Sequence, residues 1–200
     1  QLADGRILIA EYSGSANRGH LSSFDADGTY NGDFAADPRR LYDLTQLDDG
    51  RVLATTVSRE IASFSVDGTQ NADFASPGLA YRGITQLSDG RVLVGIAGEE
   101  PYINTVATFD ASGGRLENFA EIPDSFQDGT SINTVMQLAD GRITVGIFNP
   151  LSRFVSFLLF DEDGNRMDGL GGVREARYVA QAADGRVFVT GRGVITGLYP

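Results

Sequence analysis

The sequence contains no cysteine, no tryptophan and no lysine, and its one histidine is His20. Without cysteine there can be no disulfide framework, no thiolate metal site and no Cys–His nucleophile. A serine triad would have to converge on His20, which lies beside a Gly- and Ser-rich stretch over residues 13–19 where a solvated polar residue is the ordinary occupant. No Gly-rich phosphate loop is present. Long apolar runs are missing too: the longest covers residues 154–160, far short of the ~20 residues that span a bilayer. The chain does not open on a charged region followed by an apolar one, so no signal peptide is expected. All sixteen basic residues are arginine, against 27 acidic ones, for a net charge of −11. Such a chain repels phosphate backbones, and nucleic acid is not an expected partner.

What remains is ordinary globular material, 42% hydrophobic and 22% charged, with 25 glycines that fall at regular places. Gln-Leu-Ala-Asp-Gly-Arg at Gln1 returns with small changes at Gln46, Gln86, Gln137 and Gln181, at spacings of 45, 40, 51 and 44 residues. A second marker alternates with it, beginning at Phe24, Phe64, Phe109 and Phe160 and reaching an aromatic or apolar residue at Phe34, Phe74, Phe119 and Leu170. Alternating markers at this period identify a repeat architecture.

Each unit reads as four strands. An apolar position (Leu44, Ile84, Val135, Val179) precedes the Gln, and an Asp-Gly turn follows it. A nearly continuous apolar run comes next, over residues 7–10, 52–54, 92–94, 143–145 and 187–189, and predicts a strand covered on both faces. A third strand ends at the second marker's Phe, and a second Gly turn leads to a more polar fourth strand at the outer edge. Tight hairpins of this kind favour central residues at positive φ, which Gly tolerates freely and Asp better than most. No segment carries a capped amphipathic helix. The expected fold is all-β: a β-propeller of four-stranded antiparallel blades, with about 4.5 repeats of ~45 residues forming one domain over residues 1–200. The units run approximately over residues 1–40, 41–80, 81–131, 132–176 and 177–200. Five blades, or part of a larger ring, both satisfy the count.

The two markers resemble the delta-60 repeat of bacterial tandem arrays, in Asp27, Gly28, Phe34, Asp67, Gly68 and Phe74, with Thr29 and Thr69 close to the family's Ser. The chain differs in carrying Arg for the usual Lys, and Asn31, Asn71, Leu116 and Met167 where a later Asp is usual. The resemblance covers nearly the whole chain. It implies a propeller and an extracellular, periplasmic or cell-surface location, and it implies no particular activity.

The recurring triplets Asp4-Gly5-Arg6, Asp49-Gly50-Arg51, Asp89-Gly90-Arg91, Asp140-Gly141-Arg142 and Asp184-Gly185-Arg186 are expected to be structural, each Arg pairing with a nearby carboxylate. The recurring Gln is expected to bond within the sheet or between blades. The Asp-x-Asp-Gly segments at Asp25/Asp27 and Asp161/Asp163 fall short of a calcium loop, which needs about 6–8 oxygen ligands, so no metal and no cofactor is expected.

Function is expected where length and composition vary on the constant scaffold. The second-to-third connections (residues 11–19, 57–60, 97–104, 148–154) and the fourth-to-first connections (35–40, 75–80, 120–131, 171–176) share one face. In or beside them are Tyr12, Arg18, His20, Arg39, Arg40, Tyr81, Arg82, Tyr102, Phe126, Phe148, Arg153 and Phe154, and Tyr and Arg are the residue types that dominate binding hot spots. The leading expectation is a non-catalytic scaffold or interaction module, not an enzyme, docking a protein partner as an accessory subunit of a larger assembly. The alternative is a carbohydrate-binding, lectin-like propeller. The third possibility is a hydrolase or lyase with carboxylates in the central channel, for which Asp43 is the one acid evident on a first strand.

Overall fold

The computed structural model describes residues 1–13, 18–37, 40–74, 81–99, 103–123, 129–174, 176–182, 184–191 and 194–198. Among them there is no helix, and the strands form five antiparallel sheets in chain order. The first holds β1 (Ile7–Ser13), β2 (Arg18–Phe24) and β3 (Tyr30–Asp37). The second holds β4 (Leu41–Gln46), β5 (Val52–Thr56), β6 (Ile61–Phe64) and the short β7 (Gln70–Asn71). The third runs from β8 (Tyr81–Gln86) through β9 (Val92–Glu99) and β10 (Ile103–Phe109) to β11 (Arg115–Glu121). The fourth comprises β12 (Ser131–Gln137), β13 (Ile143–Asn149), β14 (Phe154–Phe160) and β15 (Arg166–Arg174). The fifth comprises β16 (Ala176–Gln181), β17 (Val187–Gly191) and β18 (Val194–Leu198). Every sheet is a simple meander in which each strand pairs with the next, and the fold is a β-propeller.

The cores lie between sheets. One cluster joins Leu8, Leu21 and Phe34 of the first blade to Val52, Ala54 and Phe64 of the second. Another joins Leu53 and Phe74 to Val92, Val94 and Phe109, and a third joins Leu93, Val106 and Phe119 to Ile132, Val145 and Phe160. Val155 and Phe157 then meet Ala176 and Val189. Middle strands therefore bury both faces, as β5 does at all five positions. Strand β1 differs from expectation. Leu8 faces the second blade and is buried, but Ile9 points the other way and is 43% exposed, because no described sheet covers that side.

Both repeat markers are joints between blades. At the inner turn, Gln46 donates through Nε2 to Gly50 O (3.2 Å) and accepts at Oε1 from Ala3 N of the preceding blade (2.7 Å). Gln86 accepts from Asp48 N, Gln137 from Ser88 N and Gln181 from Ala139 N, at 2.7–2.9 Å. At the outer turn, the Phe that ends or follows the fourth strand of one blade meets the third-strand Phe of the next: Phe74 with Phe109 (6.3 Å between centroids) and Phe119 with Phe160 (6.4 Å). The glycine of the next blade's outer turn lies so close that a Cβ on Gly68 would sit 1.7 Å from Phe34 O, and one on Gly164 2.0 Å from Phe119 O.

The turns also correct the expected turn type. Gly50 N donates to Leu47 O and Leu47 N to Arg51 O, a three-residue loop in which Gly50 alone takes positive φ, at 90°. Asp49 instead works through its side chain: Oδ1 accepts from Arg51 N and Oδ2 from Arg51 Nε. This is a type I turn closed by a glycine bulge, and Asp is favoured there because its carboxylate caps the free N–H groups.

Candidate functional site

A second irregularity recurs at the other end of the inner strands. Pairing of β4 with β5 slips between Leu41 and Asp43, leaving Tyr42 unopposed. The same slip occurs in β8 between Tyr81 and Ile84, in β12 between Ile132 and Thr134, and in β16 between Ala176 and Tyr178. A β-bulge inserts one residue, so side chains on either side of it return to the same face and the extra residue is re-aimed. Accordingly Ile132 and Val135, three apart, belong to one core cluster, as do Leu41 and Leu44, and Ala176 and Val179.

The residues released by the bulges meet in a cleft of about 860 Å³ at the end of the inner strands. Tyr42 and Asp43 come from β4, Arg82 from β8, and Asn133 and Thr134 from β12. Arg40 and Ser131 stand at the strand starts, Phe148 enters from the end of β13, and Pro150 and Arg153 enter from the β13–β14 loop. The cleft opens on the face of the variable connections, opposite the Gln-x-x-Asp-Gly-Arg turns. Its volume suits a drug-sized ligand or a short chain segment.

Two guanidinium groups share one aromatic ring: Arg82 Cζ lies 4.1 Å from the Tyr42 ring centre and Arg40 Cζ 5.5 Å. Asp43 keeps a little accessible surface but is surrounded by protein. Its Oδ1 accepts from Leu44 N (2.9 Å) and its Oδ2 from Ile84 N of the next blade (3.2 Å). Burial outweighs these two bonds and pushes its pKa up from 3.8 to about 7. The β13–β14 loop is closed by hydrogen bonds to Asn149. Asn149 Oδ1 accepts from Leu151 N and Ser152 N, and Arg153 N donates to Asn149 O (2.8 Å). Arg153 takes φ 58°, one of two described non-glycine residues at positive φ, the other being Arg59.

Of the residues expected on this face, Arg40, Arg82, Phe148 and Arg153 line the cleft. His20 sits within β2, opposite Glu11 and Ala36, and Phe154 opens β14 as a 42% exposed side chain. Tyr12, Arg18 and Tyr81 lie on β1, β2 and β8. Arg39, Tyr102 and Phe126 fall outside the described residues. The bulge residues Tyr42, Asn133 and Thr134 were not anticipated; their signal is the apolar pair three apart, Leu41/Leu44 or Ile132/Val135, where a flat strand would space them by two or four.

The Asp-Gly-Arg arginines lie away from the cleft and bond within their turns, Arg6 to Asp4 (2.7 Å), Arg51 to Asp49 (2.7 Å) and Arg91 to Asp89 (2.6 Å). Arg142 and Arg186 pair likewise with Asp140 and Asp184. Arg6 and Arg51 also donate to Val66 O and Ala111 O of the following blade. The Arg51 guanidinium holds the Asp49 carboxyl below its ordinary range. In the outer turns the Asp-x-Asp-Gly carboxylates are engaged likewise: Asp161 accepts from Asp163 N, Asn165 N and Asn165 Nδ2, and Asp25 from Asn31 Nδ2. Among the described residues no three acidic or histidine side chains cluster in a way that could hold a metal.

No protein-family model matches the chain, and no curated protein matches it. Solved structures do. A candidate gluconolactonase superposes with a TM-score of 0.68 at 13% identity, over 100% of this chain and 74% of its own. A candidate oxidoreductase from Thermus thermophilus, described as a glucose dehydrogenase, gives 0.58 at 15% identity, covering 74% and 56%. YCF48 bound to D1 peptide gives 0.61 at 10% identity, covering 96% and 60%. The chain spans less than two thirds of the length of several structures it matches. At these identities the likeness establishes the fold. It also overturns the expectation that this is no enzyme: the same fold carries proteins described as enzymes beside one that binds a peptide, so propeller architecture excludes neither.

Proposed function

We propose that this chain is a recognition propeller that takes a segment of a protein partner into the cleft at the end of its inner strands. One observation carries the reading: bulges at equivalent positions of consecutive blades turn Tyr42, Arg82 and Asn133 into the same space. A bulge disrupts the ladder, and its repetition beside a cleft matches the use of bulges to aim side chains at ligands. The bulge pairs differ from blade to blade, Tyr42-Asp43, Arg82-Gly83 and Asn133-Thr134. Such a set suits one asymmetric segment better than the identical subsites a repeating sugar would call for. The peptide-bound neighbour gives the reading a precedent within the fold. The delta-60 resemblance, resting on the two markers, supports a secreted or surface setting for the encounter.

The test is selection from a displayed library of random octapeptides on the purified chain, with enriched sequences then assayed against Tyr42→Ala and Phe148→Ala. Peptides that bind the native chain and lose affinity for both variants support the cleft. Absence of enrichment, or binding that ignores both substitutions, removes the reading.

A second reading is catalytic, and Asp43 favours it. A carboxyl that titrates near pH 7 on the wall of a cleft is suited to move a proton at neutral pH. Lactone and ester substrates are the first to assay, given the neighbour described as a gluconolactonase. Turnover that disappears in Asp43→Asn, with substrate binding retained, would favour this reading over simple recognition.

A further inference from the structure

We infer, building on the recognition reading above, that Asp43 is a proton-gated anchor of the cleft: its carboxyl group, while protonated, donates a hydrogen bond to a backbone carbonyl oxygen of the bound segment, and loss of that proton releases the segment. Three separate observations meet here.

The first is the place of the side chain. Asp43 follows the bulge residue Tyr42 on β4 and lines the cleft beside Tyr42 and Arg82. Its two oxygens accept one backbone N–H each, from Leu44 and from Ile84 of the next blade. The protein's donors thus come from the strands, and the side left for the acid's own proton is the cleft. A protonated carboxyl donates as well as accepts, and a backbone carbonyl is the acceptor that any entering segment brings.

The second is the lack of a counter-charge on the carboxyl. The charged and titratable side chains around it are Tyr42 on β4, Arg40 ahead of β4, Arg82 on β8 and Arg153 of the β13–β14 loop. The neighbouring β5 and β12 present neutral groups, Thr55 and the trio Ser131, Asn133 and Thr134. Among the described residues none of these arginines forms an ion pair with Asp43, and Arg82 lies instead over the Tyr42 ring at 4.1 Å. A paired cation would hold the carboxyl ionised; without one, burial keeps the proton on up to about pH 7.

The third is a comparison between blades. The residue at the place of Asp43, three before the recurring Gln, is Gly83 in the third blade and Thr134 in the fourth. A Cβ on Gly83 would lie 2.5 Å from Val135 N, so the joint between those two blades closes with no side chain in that place. The blade joint itself therefore does not demand an acid. A buried carboxyl that the scaffold does not require, on the wall of a cleft, is explained by what it does for an occupant.

The experiment takes its peptides from the octapeptide selection, run at about pH 6, and keeps those without acidic residues or histidine, so that the peptide itself does not titrate. Affinity is then measured calorimetrically from about pH 6 to about pH 8.5. The native chain should bind evenly below the pKa of Asp43 and lose about tenfold per pH unit above it. Asp43→Asn, whose amide donates at every pH, should bind with an affinity that no longer changes over the range. His20 lies on β2 outside the described cleft lining, and His20→Gln should leave the native dependence in place. Carbon NMR of the Asp43 carboxyl in the native chain needs no variant to fold: added peptide should raise its pKa. Native affinity that stays level across the range, or an Asp43 pKa that peptide leaves unmoved, overturns the gate while leaving the recognition cleft standing. Absence of any enriched peptide removes both.

Discussion

At the residue scale, the turn glycines fall into two kinds that look alike in sequence. Gly50 has open space around its α-carbon and needs only its positive φ, so Gly50→Ala should cost about 1 kcal/mol. Gly68 and Gly164 have the same φ and also abut a neighbouring blade's carbonyl oxygen at 1.7 and 2.0 Å from a built Cβ. Gly68→Ala and Gly164→Ala should each cost more than about 3 kcal/mol, since backbone rather than a side chain must move. Urea unfolding of the three variants separates the two kinds. Asp43 offers a second measurement. Folded, it releases its proton at about pH 7; unfolded, it does so near 3.8. The folded state therefore binds more protons between these values, and stability declines as pH rises from about 4 to about 7. Asp43→Asn should abolish that decline, visible as a flatter dependence of melting temperature on pH. The acids of the Asp-Gly-Arg turns have lowered pKa values, so their contribution has the opposite sign and is gained as pH rises through the unfolded value near 3.8, at the foot of this window.

At the scale of the strand and turn, the recurring glutamine is the joint to test. Gln137→Met removes the acceptor for Ser88 N and the donor to Gly141 O, and should cost about 1–3 kcal/mol. Gln1→Met removes a bond to its own turn, to Gly5 O, and should cost less. The β5–β6 turn holds Arg59 at φ 64° as an exposed residue outside the cleft, so Arg59→Gly should raise stability by up to about 1 kcal/mol in the same assay. This scale also shows what could be read in advance. The markers announced the blades because hairpin turns and blade joints need the same residues each time: Gln for the inner staple, Gly and Phe for the outer one. The cleft was harder to see. Arg40, Arg82, Phe148 and Arg153 were named from their loops, but Arg82 meets Tyr42 forty residues away in sequence, and only through a bulge that displaces Tyr42 from its strand face. The trace of that bulge, apolar residues three apart, is a break in strand period, which a search for regular alternation passes over.

At the scale of the whole molecule, the balance of charge governs behaviour. With 27 acids against 16 arginines, the compact state repels itself, and screening relieves that repulsion. Melting temperature should therefore rise as sodium chloride is added to a dilute buffer, measured by thermal unfolding at a series of salt concentrations. A melting temperature that stays level or falls would argue that self-repulsion does not limit the stability of the fold.

The inner joints have one more consequence. In each of the four sequential pairs of described blades the earlier one supplies the N–H and the later one the glutamine oxygen. The linkage thus has a direction, and no blade records how many companions it has. A whole unit spliced between two others would find a matching surface on each side, whereas a unit cut at any other point would leave one orphaned. Lineages built on this plan are free to lengthen or shorten by complete repeats, and the number of blades is then a matter of how their wedges sum around an axis.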